Sequence, residues 1–382
     1  MDHVRLGLIG LGNIGQFHAH YLRAGSIRRA KLVAVSDADP ARLAGFSDLH
    51  TFARSEDLIA SGLVDAVLIA TPHYFHTTIG IDALAHGLHV LVEKPISVHK
   101  ADAERLLAAH TDPRLVFGAM LQTRTDPYFR RLKGLLAAGE LGEIQRFQWT
   151  VTDWFRTEAY YASSSWRATW RGEGGGVLLN QCPHQLDLLQ WLFGMPARVH
   201  AFCTLGKYHH IEVEDEVTAY LEFARGASGV FITSTGEAPG SNRLEIAGDR
   251  GRIVLEGGRL HFTRNEVPAR EFCETPCEAF GLPAVWEADI PVPQGGPQHT
   301  EITQNFVDAI LDGVPLIAPA AEGIRAVELA NAMLYSCLQK QTVELPLDGA
   351  AYERLLNKLI EQSTFQKQVR SSVVTDIHQS FR

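Results

Sequence analysis

A glycine turn, a lysine and a histidine, each beside other polar side chains, are where this sequence could do chemistry. Gly10-Leu11-Gly12-Asn13-Ile14-Gly15 follows the apolar run Arg5–Ile9. Between a strand and a helix, glycines at this spacing permit a tight turn, bring backbone N–H groups against a diphosphate and allow close helix packing. A second apolar run, Leu32-Val33-Ala34-Val35-Ser36, ends in Asp37. A carboxylate there accepts hydrogen bonds from both ribose hydroxyls of a dinucleotide and repels a 2′-phosphate, so NAD is expected over NADP.

Two more apolar runs end in Ala70-Thr71-Pro72, with His73 and His76 just beyond, and in Glu93-Lys94-Pro95. Pro95 holds the lysine backbone extended. A lysine at such a strand end faces the crevice in which the nicotinamide end of a dinucleotide would lie. Further on, Tyr160, Trp166 and Arg167 belong to an aromatic and guanidinium-rich stretch. Flat rings beside hydrogen-bond donors suit a polyhydroxylated ring, with its C–H face and rim of hydroxyls. Core aromatics with snorkelling arginines are the plainer alternative. Asn180-Gln181-Cys182-Pro183-His184 then opens a helix, with Pro183 in its first turn, Asn180 at its mouth and His184 just inside. Oxidising a secondary alcohol needs a base for the hydroxyl proton while hydride leaves the carbon. Lys94 and His184 are the candidate acid/base pair, and His299, before a later helix, is a candidate substrate contact.

The elements that must position these groups come in two styles. Strand-sized runs at Arg5–Ile9, Lys31–Ser36, Ala66–Ala70, His89–Val92 and Leu115–Ala119 alternate with helix-length stretches at Ile14–Arg23, Tyr74–His86 and Lys100–Ala109. Such alternation predicts a doubly wound parallel sheet whose ligand crevice lies beyond the strand C-termini. From about Glu143 the alternation stops and β-rich runs take over: Ile144–Trp154, Ala197–Leu205, Val217–Phe223, Gly229–Ser234 and Gly251–Leu255. Helical stretches follow at Ile302–Leu311 and Glu322–Gln339. The expected division is a dinucleotide-binding domain over 1–123, a substrate domain over 124–365, and a tail or arm over 366–382.

As a set, the glycine fingerprint, Asp37, Ala70-Thr71-Pro72, Glu93-Lys94-Pro95, Gly139-Glu140-Leu141-Gly142-Glu143-Ile144 and the Gly174–Gly194 stretch resemble the Gfo/Idh/MocA oxidoreductases. The resemblance covers nearly the whole chain. It implies an α/β fold: an N-terminal Rossmann doubly wound parallel sheet, then an α+β domain with a large, open, mostly antiparallel sheet and helices packed beside it. It implies an NAD-dependent oxidoreductase acting on a secondary hydroxyl of a cyclitol, sugar or sugar derivative. Cofactor contacts would come from Gly10, Gly12, Asn13, Ile14, Gly15, Asp37, Thr71, Pro72, His76, Glu93, Lys94 and Gln122. The substrate would meet Lys94, Tyr160, Trp166, Arg167, Asn180, His184 and His299, with Lys94, His184 and Asn180 as the catalytic group. Inositol dehydrogenase-like members carry Asp where this chain has Asn180. An amide orients a hydroxyl but neither accepts a proton nor holds Lys94 charged. Similar proteins pair through the open sheet face, so a homodimer or homotetramer is expected. The alternative within this fold is an NAD-dependent glycoside hydrolase using transient sugar oxidation and elimination. A nonenzymatic sensor would have no use for both ionisable groups.

Composition removes other classes. The 382 residues are 46% hydrophobic and 21% charged, which excludes disorder as the chain's main character. Thirty-five Lys plus Arg against 44 Asp plus Glu give −9, without the basic footprint of a nucleic-acid binder. No apolar run is long enough for a membrane span. Five scattered cysteines make no disulfide framework, and a cytoplasmic protein is expected. Seventeen histidines raise a metal reading, strongest at His209-His210 with Glu212 and Glu214. No ligand spacing supports it, so no metal is expected and an acidic loop is expected there.

Overall fold

The computed structural model describes residues 2–275 and 279–370; Cys277 and residues 371–382 of the expected tail lie outside the described residues. The first part runs β1 (Val4–Ile9), α1 (Asn13–Arg23), β2 (Ala30–Ser36), α2 (Pro40–Leu43), β3 (His50–Phe52) and α3 (Ser55–Ile59). It continues with β4 (Ala66–Ile69), α4 (His73–Ala85), β5 (His89–Val92), α5 (Lys100–Ala108) and β6 (Phe117–Ala119). These six strands form a parallel sheet in the order β3-β2-β1-β4-β5-β6. β4 is apolar throughout, and β5 is apolar after His89, because helices cover both faces of such a sheet. The chain leaves β1 towards β2 on one side and returns to β4 on the other, so the C-terminal ends of β1 and β4 flank the crevice.

Two details differ from the sequence reading. β3 was not anticipated: His50 and Thr51 are exposed, so this edge strand carries no apolar run. The strand expected from Leu115 begins at Phe117, with the Val116 N–H donating to His89 Nδ1 at 2.8 Å.

After a 3-10 turn at Gln122–Thr125 come α6 (Pro127–Ala137), β7 (Ile144–Val151), α7 (Glu158–Ala162), α8 (Pro183–Phe193), β8 (Arg198–Leu205) and β9 (Glu214–Glu222). Then follow β10 (Ser228–Ser234), β11 (Asn242–Gly248), β12 (Gly251–Glu256), β13 (Arg259–Asn265), α9 (Ala269–Glu274) and β14 (Val285–Ile290). The last elements are α10 (His299–Asp312), α11 (Ala320–Gln339), β15 (Val343–Glu344) and α12 (Gly349–Gln362). Nine strands make the second sheet, in the order β14-β13-β12-β11-β7-β10-β9-β8-β15. Its pairs are antiparallel except β7 with β10.

Period-two alternation sets this sheet's faces. Phe147, Trp149 and Val151 of β7 and Val217, Ala219 and Leu221 of β9 point inward, into a core shared with α8 and α11. The other face is open, and Phe202 of β8 is 69% exposed on it. The two late helices do not both pack beside this sheet, as the resemblance had implied. α10 buries Ile302, Phe306 and Val307 in the core of the parallel sheet. Tyr21 of α1 and Thr303 share a 2.8 Å hydroxyl contact there. α11 serves both cores, with Val327 in the first and Leu329, Ala330 and Met333 in the second. No helix among the described residues is long and apolar enough to cross a membrane.

The glycine turn shows how tightly the first sheet and α1 are built. A Cβ on Gly15 would stand 1.9 Å from the Gly10 carbonyl oxygen, whereas one on Gly12 would meet nothing nearer than 4.0 Å. In cofactor-free protein, Gly15→Ala is expected to cost about 1–3 kcal/mol by overpacking, while Gly12→Ala unfolds with the parent. Urea denaturation checks this, and equal stability of the two variants would contradict it.

Candidate active site

The dinucleotide end of the crevice is assembled from three strand ends. Gly10 turns the chain at φ +93°, where a Cβ would collide with the Ala70 carbonyl oxygen at 2.7 Å. Asn13 and Ile14 begin α1, whose first turn has no side-chain cap and no acidic residue. Its free N–H groups therefore face a place suited to an anion. Asp37, at the end of β2, accepts from Leu11 N at 2.6 Å and Asp39 N at 2.9 Å. The half-exposed Arg42 guanidinium lies 3.4 Å from Asp37. Thr71 and Pro72 lead from β4 into α4, and Thr71 Oγ1 is buried without a partner. The open approach at Gly12, the uncapped helix and this orphaned hydroxyl all fit a bound dinucleotide.

His76, placed by the sequence among the cofactor contacts, has a different neighbourhood. Its ring nitrogens lie 2.8 Å from the carbonyl oxygens of Pro95 and Thr71, so it ties the two crevice loops together and has no ring nitrogen left for a ligand. Glu93 is buried and paired with His18 of α1 at 2.7 Å. Burial would raise the Glu93 carboxyl, yet the His18 hydrogen bond and charge bring it down to about 2. Its other oxygen accepts from Lys94 N at 3.1 Å.

Lys94 reaches across to the second sheet's lobe, where Nζ donates to the Asn180 carbonyl oxygen at 3.0 Å. Burial depresses its pKa, as do Arg167 and Arg156, against the opposing charges of Glu93 and Glu173. His184, in the first turn of α8, pairs through Nε2 with the Gln122 amide at 2.9 Å. Its Nδ1 and the other Gln122 amide atom are buried without partners. Burial, then the charge of Lys94, pushes His184 well below its usual range. At neutral pH it is an uncharged imidazole.

Tyr160, Trp166 and Arg167 come together beside Asn180. The Asn180 side-chain oxygen accepts from Tyr160 OH at 3.1 Å, and Arg167 donates to that hydroxyl at 2.8 Å. The Arg167 guanidinium lies 4.5 Å from the Tyr160 ring centre and 4.7 Å from that of Trp166. Its Nε is buried with no partner. Buried polar atoms are seldom left so, and Thr71, Gln122, His184 and Arg167 each carry one. His299 is set back from them. Buried at the start of α10, it packs edge-on against Phe17 and His18, 5.1 and 5.7 Å between ring centres. Burial lowers it to about 3.

Several contributors had escaped the sequence reading. Arg124, 1% exposed, forks onto Asp187 of α8 at 2.6 and 2.8 Å and also reaches Glu322 of α11. This pair locks the 3-10 turn bearing Gln122 to the helix bearing His184. The buried carboxylate of Glu173 accepts from Ala168 N at 2.5 Å and from the Asn180 amide. Glu214 is no part of a solvated acidic loop: it is fully buried at the start of β9 and accepts from Gly176 N and Leu178 N. Burial raises it to about 7. His209 spends its nitrogens on Asp215 and the Arg156 carbonyl. The one group among the described residues close enough to hold a metal is His99, Asp102 and Glu353, and Arg105 already bridges its two carboxylates at 2.5 and 2.7 Å.

Arg124→Leu would leave Asp187 charged and unpaired in the core, a loss of about 3–5 kcal/mol. Chemical denaturation checks it, and a change of less than about 1 kcal/mol, as for a surface pair, would contradict this reading.

Comparison with known proteins agrees with the geometry. Residues 4–118 match an oxidoreductase family described as an NAD-binding Rossmann fold, and residues 129–254 match the GFO/IDH/MocA C-terminal domain. The rhizopine catabolism protein MocA of Rhizobium meliloti is 32% identical over 87% of this chain and 94% of its own length. Inositol 2-dehydrogenase of the same species (strain 1021) is 26% identical over 90% of this chain and 99% of its own. The crystal structure of the WlbA dehydrogenase from Bordetella pertussis, in complex with NADH and UDP-GlcNAcA, superposes with a TM-score of 0.76 at 25% identity, covering 91% of this chain and all of that one. Both halves and nearly the full length agree: this chain belongs to the Gfo/Idh/MocA oxidoreductases, with an NAD-binding Rossmann fold as its first half.

Proposed function

We propose that this protein is a dehydrogenase that oxidises a secondary hydroxyl of a cyclitol, a pyranose sugar or a sugar derivative, with Lys94 carrying the hydroxyl proton. The observation that carries this reading is the Lys94–Asn180 contact beside the Tyr160–Arg167–Trp166 stack, with His184 near enough to feel the lysine's charge. The relatives support the substrate class, since one is named for inositol and another was crystallised with a nucleotide-linked sugar acid. In this reading residues 1–123 serve the cofactor and 124–365 the substrate.

NAD, when bound, supplies the ring carbon that accepts the hydride. Gly10, Gly12, Gly15 and the first turn of α1, with Asn13 and Ile14, hold the diphosphate, with Arg42 beside them. Asp37 takes the adenosine ribose, and Thr71, Pro72 and Gln122 line the nicotinamide end. Lys94 does the proton chemistry. Lowered by burial, its amine loses a proton nearer neutrality than an exposed lysine and can then accept one from the substrate hydroxyl. In the reverse direction the ammonium returns that proton to the carbonyl oxygen. The Asn180 carbonyl aims Nζ. His184, kept neutral, offers Nδ1 as a hydrogen-bond partner that orients the ring, while Tyr160, Trp166 and Arg167 supply its wall. His299 stands behind the site, packed edge-on against His18, whose ring pairs with Glu93.

The exposed sheet face, centred on Phe202 and Tyr220, supports pairing of two copies into a homodimer or homotetramer. Free thiols at Cys182, Cys203, Cys273 and Cys337 fit a cytoplasmic setting.

Incubation with NAD and a panel of cyclitols and sugars is expected to generate NADH absorbance, with a rate that climbs with pH as Lys94 deprotonates. Lys94→Met is expected to lower kcat by about 10²–10⁴-fold while NADH still binds. Release of a chromogenic aglycone without net NADH, or full activity in the Met variant, would overturn the assignment. Sedimentation should show a dimer or tetramer that Phe202→Glu weakens; a monomeric parent protein would contradict the pairing.

A further inference from the structure

Glu173 stands directly before the glycine run Gly174–Gly176 and is 1% exposed. One carboxylate oxygen accepts from Ala168 N at 2.5 Å and the other from the Asn180 amide. Both partners are N–H donors, so the contacts suit the ionised form. No lysine or arginine lies within ion-pair distance of it among the described residues; burial raises its carboxyl, and the charge of Arg167, the two N–H donors and the charge of Lys367 oppose that rise. On the other side of Asn180, that residue's carbonyl receives the Lys94 ammonium. The backbone around Glu173 is unusually constrained. Ala168 holds φ +50°, and a Cβ on Gly172 would stand 2.3 Å from the Trp166 carbonyl oxygen. A loop that keeps a non-glycine residue at positive φ in order to point its N–H at a buried carboxylate is organised around that carboxylate.

We infer that Glu173 is a positioning residue for the proton transfer: its carboxylate fixes the Asn180 amide and presents to the Lys94 ammonium the negative charge contributed by the substrate lobe. The inference rests on Lys94 being the proton carrier. Hydrogen bonding by Glu173 turns the Asn180 side-chain oxygen towards Tyr160 OH and Gln181 Nε2. The turn whose carbonyl seats Nζ is thereby held from both sides. Electrostatically, Lys94 lies among Glu93 and Glu173, which favour its charged form, and Arg167 and Arg156, which oppose it. His73, His76, His184 and His299 also feel its charge. Glu93 is committed to His18, and Glu214, behind Glu173, is committed to the backbone of Gly176 and Leu178. Removing the charge of Glu173 leaves Glu93 alone against two guanidinium groups, so the amine must give up its proton more readily.

Glu173→Gln isolates the charge from the scaffold. A glutamine carbonyl can still accept from Ala168 N, and the Asn180 amide can rotate to meet the new NH2 group. Competitive acetylation of Lys94 across pH, read by peptide mass spectrometry on the whole protein, reports the amine's ionisation with or without turnover. The pH profile of NADH formation reports its effect on catalysis. For Glu173→Gln both midpoints are expected to move to lower pH by roughly one unit. Glu173→Asp keeps the charge but withdraws it from Asn180, so it should move them the same way by less, and it decides the matter if the Gln variant fails to fold. Acetylation midpoints that coincide with the parent's in the variants that fold would overturn the inference and leave Glu173 as a prop for Ala168. A parent protein whose acetylation responds as expected but which oxidises no polyol would instead count against the dehydrogenase reading.

Discussion

A part-buried ammonium group at the seam between two lobes is the constraint on which the rest of this structure depends. Burying an unpaired charge costs several kcal/mol or more, so Lys94 must be met by acceptors and opposing charge from both sides. The first lobe supplies Glu93, itself pinned to His18 on the helix that follows the glycine turn. The second supplies the Asn180 carbonyl, with Glu173 behind it. The two sheets must therefore keep their relative placement to keep one amine covered. Arg124 contributes to that placement by clamping the 3-10 turn after β6 to α8 and α11.

The same seam accounts for the division of labour between lysine and histidine. Both are pushed towards their neutral forms by burial, but from very different starting points. A lysine lowered from above 10 moves towards the pH at which proton exchange is useful, whereas a histidine lowered from near 6.5 moves away from it. On the proposed reading, burial thus suits Lys94 to carry the proton and His184 to orient the ring. Thr71, Gln122, His184 and Arg167 each keep a buried polar atom without a partner, which a cofactor and a hydroxylated ring would satisfy.

Much of this could be read from the chain, for reasons that also explain what could not. A parallel sheet covered on both faces writes its strands as apolar runs, so β1, β2, β4 and β5 stood out, and the functional loops followed from their ends. β3, mostly exposed, left no such trace. In the second sheet one face is open, and strands such as β11 interleave Leu244 and Ile246 with Arg243 and Glu245, a weaker signal. Lys94, Asn180 and His184 were found because a strand end and a helix mouth fix where a side chain starts. Where it points is another matter. His299 also sits at a helix mouth but turns into the aromatic cluster of α1, and both ring nitrogens of His76 lie against backbone carbonyls. Glu173 and Glu214 look like loop acids in sequence; only the fold shows them buried as acceptors for turn N–H groups. Arg124 left no local signal either, because its partner Asp187 is 63 residues away.

The most direct test of Lys94 as the proton carrier is a crystal structure with NADH and an inert analogue of a polyol that the protein oxidises. The reacting hydroxyl is expected within hydrogen-bond reach of Lys94 Nζ, about 2.6–3.2 Å, with His184 Nδ1 on the same sugar. A hydroxyl that meets neither nitrogen, with Lys94 still bound to the Asn180 carbonyl and the ring held elsewhere, would contradict the account.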